Sequence, residues 1–474
     1  MVFSSSIFLV YFLPIFLLVY FVAAKKFKNT ILLIASIFFY SWGGPKFIFA
    51  ILATTTVDFY FVRFLYHAST EKKRRLFLVL SLGLNLGMLF YFKYCNFFIE
   101  NFDFVLTHFG AKEISWTKVI LPIGISFYTF ESLTYVIDVY RKLHKPLTNF
   151  WQYQLYILLF PKLIAGPIIR YHEIADQIPD RSANDTIDNK LTGFFRFVIG
   201  LSKKVLIANI MGEKADAVFN SSMDSLTSTV AWTGMLAYTF QIYFDFSGYS
   251  DMAIGIGKMI GFRFSENFNN PYTSGSITEF WRRWHMTLGK WMRNYLYILL
   301  GGNQVQSKTR LYFNLWIVFL ASGLWHGAAW TFVIWGVYHG LFLVLERMFL
   351  LKVYEKIGKL SVLITFLFVA IGWVFFRSDT FSHAITFVGK LFVFDWSVPF
   401  LFFERKFMIV FAIAALFSFF TLFKTGEVIQ NKIYYENPRT GISAVYAVAA
   451  CLLFMLSLSF VTSNGFNPFI YFRF

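Results

Sequence analysis

The chain opens as a series of apolar runs separated by short basic breaks. Ile7 to Ala23 is apolar, no Lys or Arg precedes it, and Lys25, Lys26 and Lys28 follow it directly. That charge order is the reverse of a cleavable signal peptide's. Under the positive-inside rule it predicts an uncleaved first span with its N-terminus outside. Thr30 to Trp42 is short, Gly43, Gly44 and Pro45 make a turn, and Lys46 to Tyr66 runs back to the basic cluster Lys72 to Arg75. Leu76 to Ile99 then leads outward, and Val119 to Tyr140 returns to Arg141, Lys142, His144 and Lys145.

Further apolar segments occupy residues 151–169, 192–210, 228–260, 311–335, 336–351, 360–376, 404–424 and 441–462. Several are interrupted by Gly, Pro or a charge, so about eleven to thirteen membrane segments are expected, some of them re-entrant. The polar stretches 177–190, 211–226 and 425–440 read as short loops. They leave no room for a soluble domain, and residues 1–474 read as one all-α integral membrane domain.

Composition agrees: 57% of the residues are hydrophobic, 22% aromatic and only 15% charged, with a mean hydropathy of +0.57. A soluble protein of this size could not cover so much apolar surface. The net charge of +17 therefore belongs to loops facing the anionic cytoplasmic leaflet, which makes membrane lipid a partner and excludes nucleic acid. Cys95 and Cys451 stand alone in apolar stretches and offer no metal spacing. Gly255 and Gly257 lack the flanks of a dinucleotide fingerprint and read as close helix packing.

The candidate chemistry lies in the second half. Leu311 to Leu345 contains no Asp, Glu, Lys or Arg, yet its first span carries His326 about halfway along. An ionisable group at bilayer depth is a site candidate, and an imidazole can take and return a proton near neutral pH. The competing reading is a buried structural histidine. His339, thirteen residues on, falls about 220° round a continuous helix and faces elsewhere unless Gly336 breaks it.

Phe268 to Asn303 is too polar to span and too aromatic for an ordinary loop. Trp281, Trp284, Trp291, Tyr295 and Tyr297 suggest a segment that lies at, or dips into, the membrane surface. Within it, Glu279 and Arg283 are spaced to pair, and Arg282 and His285 are spaced to share a helical face. That face suits an anionic group such as a phosphate held beside a proton carrier; the arginines would equally anchor an amphipathic helix to anionic lipid. Asp245 and Asp251 either hold an arginine of the 282–293 segment or act directly in catalysis. Arg170, after Gly166-Pro167, is either a snorkelling end to a broken helix or a site residue.

Five ordered signatures carry a resemblance: Leu121-Pro-Ile-Gly-Ile-Ser-Phe-Tyr, Leu163-Ile-Ala-Gly-Pro, Tyr243-Phe-Asp-Phe-Ser-Gly-Tyr-Ser-Asp-Met-Ala-Ile-Gly, Phe280-Trp-Arg-Arg-Trp-His and Ser322-Gly-Leu-Trp-His-Gly-Ala. With the aromatic C-terminus Asn467-Pro-Phe-Ile-Tyr-Phe, the chain resembles the membrane-bound O-acyltransferases, and among them the branch that acetylates bacterial polysaccharides such as alginate. Leu299, Asn294 and Gly289 depart from the pattern, where proline, aspartate and serine are common. The resemblance implies a bundle of tilted helices around a central tunnel. It makes His326 the catalytic histidine and His285 the second motif histidine, with Arg282, Arg283, Asp245, Arg170 and Trp325 as supporting or donor-binding residues. It implies no metal and no tightly bound cofactor, acetyl-CoA or another acyl thioester as donor substrate, and an acceptor outside the cytoplasm.

The resulting expectation is an O-acetyltransferase of the bacterial cytoplasmic membrane. It would serve a secreted or cell-wall glycan with an exported SGNH-like acetyltransferase and the polysaccharide synthesis machinery. D-alanyl transfer to teichoic acid and acylation of peptidoglycan are alternatives within the class. A proton-coupled transporter or flippase is the alternative outside it, but the internal inverted repeats that would support it are not seen.

Overall fold

A backbone in hydrocarbon has no water to bond to, so apolar runs close their hydrogen bonds internally as helices. In a computed structural model that describes residues 1–398, 403–435, 440–463 and 468–470, every regular element among the described residues is helical. Among the described residues, six helices are long and apolar enough to cross a membrane, and Ile7–Val22 is a shorter apolar helix. Of the C-terminal motif 467–472, only Pro468 to Ile470 lie within the described residues. The chain forms two compact units, residues 1–190 with 257–264, and residues 191–256 with 265–474.

The first unit contains α1 (Leu13–Val22), α2 (Lys28–Gly43), α3 (Phe47–His67), α4 (Glu71–His108), α5 (Ile125–Tyr140) and α6 (Phe150–Leu158). Buried polar groups tie these helices together. Asp58 of α3 accepts hydrogen bonds from Ser81 and Asn85 of α4 and from the Tyr153 hydroxyl of α6, at 2.8 Å for the last. Lys162 and Glu131 form a fully buried ion pair, with the ammonium 4.7 Å from the centre of the Tyr156 ring. Each charge meets a partner because an unpaired one would be very costly at that depth.

The second unit holds most of α7 (Ile187–Ser202) and α9 (Ser228–Met259). Between them lies α8 (Asn209–Phe219). The short helices α10 (Ile277–Arg283) and α11 (Met286–Met292) follow, then α12 (Lys308–His326), α13 (Trp330–Ile357) and α14 (Leu360–Arg377). After these come α15 (Phe381–Leu391), α16 (Arg405–Leu422), α17 (Lys424–Tyr434) and α18 (Thr440–Ser463). A Cβ placed on Gly255 would lie 2.5 Å from the Phe197 nitrogen, so the expected close packing is present between α9 and α7. The stretches 211–226 and 425–440, expected as loops, hold most of α8 and α17.

The break in the uncharged 311–345 stretch is at Gly327–Ala329, not at Gly336. His326 is thus the last residue of α12 rather than the middle of a span. Gly336 instead serves contact: a Cβ there would lie 2.5 Å from the Phe319 carbonyl oxygen, and one on Gly323 would lie 2.3 Å from that of Phe332. α12 and α13 therefore pack backbone to backbone, as small residues allow in membrane helices. Gly323→Ala should force this hairpin apart at a cost of about 1–3 kcal/mol. Thermal unfolding in detergent should show a clear drop in midpoint for Gly323→Ala. Gly83→Ala in α4, where a Cβ meets nothing within 4 Å, should lose nothing. Equal midpoints for the two variants would contradict the close packing.

Candidate active site

His326 is 4% exposed, at the point where α12 ends and Gly327 turns the chain into an extended link. Aromatic rings frame it: Trp325 at 4.9 Å between centroids, Trp335 of α13 at 5.2 Å and Phe376 of α14 at 5.3 Å. Edge-to-face packing of this kind fixes the imidazole plane while keeping bulk water away.

His285 is 1% exposed and joins α10 to α11. α10 stops because Trp284 is extended, and His285 then adopts the left-handed region at φ 44°, ψ 52°. A non-glycine residue there is uncommon and is held by its surroundings. Asn267 provides them. Its side-chain oxygen lies 3.0 Å from His285 Nδ1 and accepts from the Thr287 hydroxyl at 2.9 Å, and its backbone carbonyl accepts from the Met286 N–H. The other ring nitrogen, Nε2, is buried with no hydrogen-bond partner among the described residues. Burial lowers the pKa of His285, so the neutral ring is favoured.

The Trp325 indole makes ring contact with both histidines, its centroid 6.0 Å from His285 and 4.9 Å from His326. Two imidazoles forty-one residues apart in sequence thus share one aromatic neighbour. Phe246 of α9 closes the other side of His285 at 4.7 Å. His339 is buried among Trp281 and Trp335, and Trp335 touches both it and His326.

The other sequence candidates separate from this pair. Arg282 and His285 do not share a helical face, because α10 ends between them: Arg282 is exposed and His285 buried. Arg283 donates to Glu279 at 2.6 Å, the expected pair, and to Thr273. Asp245 and Asp251 hold cations, but not those of the 282–293 segment. Asp245 lies 2.7 Å from Lys204 and accepts the Ile470 N–H, while Asp251 binds Arg196 and Lys203. The reason is geometric: residues 196, 200 and 203–204 recur at helical spacing, and a Cβ on Gly200 would meet the Gly248 carbonyl at 2.5 Å. That contact lays the cations along both aspartates of α9. Arg170 lies in the first unit, where it bonds to Glu173 at 2.6 Å.

The aromatic segment is also placed differently from expectation. Trp284, Trp291 and Tyr295 are buried in protein rather than set out as a surface belt. Trp284 packs on Trp373 at 4.8 Å and Trp373 on Trp335 at 5.9 Å, so these rings build the layer beneath the histidines. Asn267 escaped the sequence reading altogether. Its one signal is polarity beside Phe268, and its distance of eighteen residues from His285 gives no local pattern. Among the described residues, no group of three or more His, Cys, Asp or Glu is placed to hold a metal ion.

Residues 100–353, more than half of the chain, match the membrane-bound O-acyltransferase family. The chain belongs to the membrane-bound O-acyltransferase family. It is 40% identical to the probable alginate O-acetylase AlgI of Pseudomonas putida, over the whole of both chains. It is 46% identical to that of Pseudomonas aeruginosa, over 81% of this chain and 73% of the relative. The peptidoglycan O-acetyltransferase of Helicobacter pylori is 37% identical over 81% of this chain and 78% of its own. The protein is a multi-pass membrane O-acyltransferase, and both histidines lie inside the matched region.

If Trp325 positions the two imidazoles, Trp325→Ala should lower acyl transfer at least about tenfold per amount of folded protein. The exposed Trp151→Ala should stay within about twofold of the parent. Transfer by membranes normalised to folded protein is the measurement, and normal transfer by Trp325→Ala would contradict the assignment.

Proposed function

We propose that this protein moves acetyl groups from cytoplasmic acetyl-CoA across the membrane for O-acetylation of a secreted or cell-wall polysaccharide, with His326 as the general base. The observation that carries the reading is the pair of buried imidazoles about Trp325 in a chain 40% identical, end to end, to an alginate O-acetylase. His326 takes the proton of an acceptor hydroxyl while the oxygen attacks the thioester carbonyl. The carbon–sulfur bond then breaks, and the departing thiolate regains the proton from the imidazolium. Packing by Trp325, Trp335 and Phe376 keeps bulk water from the thioester and so suppresses hydrolysis. His285 serves the donor side.

An exported SGNH-like acetyltransferase would complete transfer to the sugar hydroxyls. The Helicobacter pylori relative supports a second reading, in which peptidoglycan is the acceptor. Acetyl content of each polymer in cells with and without the protein separates the two.

His326→Ala or His326→Gln should leave a membrane-inserted protein whose glycan acetylation falls to background. It should still bind a non-hydrolysable acetyl-CoA analogue, since a base acting in the transition state adds little to ground-state affinity. Normal acetylation by stably expressed His326→Ala would sink the proposal. Binding lost in His326→Ala but fully retained in Arg282→Ala and His285→Ala would reverse the division of roles.

The proposed location is the bacterial cytoplasmic membrane, with the N-terminus outside, Lys72 to Arg75 and Arg141 to Lys145 cytoplasmic, and Asn101 to Trp116 external. Single-cysteine labelling in a background without Cys95 and Cys451 should find position 73 protected from external reagent and the 101–116 stretch labelled. External labelling at 73 would overturn this topology.

A further inference from the structure

We infer that Asn267 is a positioning residue that locks His285 in one tautomer, with Nδ1 carrying the proton and the Nε2 lone pair presented for reaction. One donor beside the Asn267 side chain has a fixed identity. The backbone N–H of Thr287 can only donate, and it lies 3.3 Å from one terminal atom of the Asn267 side chain. That atom must therefore be the carbonyl oxygen. The amide nitrogen then points the other way, where it donates to the Ser250 hydroxyl of α9 at 3.0 Å. An oxygen that already accepts from Thr287 can only accept from His285 as well, so Nδ1, 3.0 Å away, bears a hydrogen.

In the neutral ring that burial favours, the second nitrogen is then a bare acceptor. Nε2 is such an atom: fully buried, and without a hydrogen-bond partner among the described residues. An acceptor left unmet at that depth is costly unless something fills it. The group that fits is a donor hydrogen, such as the CoA thiol once it has regained its proton. Asn267 is itself fully buried, and its backbone and side chain both hold the turn from His285 to Thr287, which fixes where that lone pair points.

The inference rests on the proposed role of His285 at the donor side. The elements around the ring carry Tyr238, Tyr243, Asp245, Tyr249, Asp251 and Lys258 on α9, Lys308, Arg310, Tyr312 and His326 on α12, Glu279, Arg282, Arg283 and Lys290 on its own segment, and Glu266 beside Asn267. Both aspartates and Arg283 are already held in ion pairs. His326 is the other group there whose ordinary range lies near neutrality.

The test uses the full chain in detergent and follows release of free CoA thiol from acetyl-CoA against pH. Asn267→Ala should lower kcat by up to roughly a hundredfold, with a smaller change in KM, because the ring loses its register. Asn267→Asp keeps an acceptor in place and adds a charge that favours the imidazolium, so His285 holds its second proton to higher pH. Activity that needs the free lone pair is then lost earlier as pH falls, and the acid limb of the profile should move up by about one unit or more. In a His285→Ala background, Asn267→Ala should cause no further loss. An unshifted acid limb in Asn267→Asp, or additive losses in the double variant, would overturn the role of Asn267. A parental rate in His285→Ala would instead overturn the reading of the site. Should Asn267→Ala fail to fold, Asn267→Asp carries the decision by itself.

Discussion

The backbone contact between α12 and α13 is the constraint on which the candidate site depends. Gly323 and Gly336 let the two helices approach so closely that no side chain fits between them. With the hairpin fixed there, the short link at Gly327–Ala329 leaves His326 at the end of one helix, with Trp335 on the other directly against it. The aromatic layer follows from this placement. Trp335, Trp373 and Trp284 continue one another across α13, α14 and the end of α10, and the second histidine is carried in on the residue after Trp284.

Charge is handled by the opposite means, pairing rather than exclusion. Asp245, Asp251 and Glu266 balance Lys204, Lys203 and Arg196 along α7, its continuation and α9, while Lys162 and Glu131 do the same in the first unit. Buried pairs of this type add little net stability, but removal of one member leaves an uncompensated charge. Their effect is to specify which helix faces meet. The proposed chemistry falls to two buried imidazoles, a side chain that in its neutral form can sit in an apolar layer and still exchange a proton.

The sequence was most informative where physics is local. Long apolar runs became helices because hydrocarbon leaves no other choice, and the pair of Glu279 with Arg283 followed from helical spacing. His326 and His285 stood out as imidazoles in apolar or aromatic surroundings, and the structure sets both against Trp325. What depended on packing was misread. The break after His326 lacks a proline and went unmarked, and the tryptophans of 281–297 have the composition of a surface belt while Trp284 and Trp291 are buried in protein. Partners of Asp245 and Asp251 came from residues 196–204, because a glycine contact invisible in sequence brings α7 onto α9. Asn267 was missed for the same reason: its role exists only once the chain has folded it against His285.

The central claim is that the acyl group is transferred at the imidazoles around Trp325. An experimental structure with a non-hydrolysable acetyl-CoA analogue bound tests it most directly. The account predicts the acyl carbonyl beside Trp325, with space for an acceptor hydroxyl within about 3 Å of a His326 ring nitrogen. An analogue whose acyl group lies in the first unit, or on the exposed side of Arg282 away from both imidazoles, would contradict it.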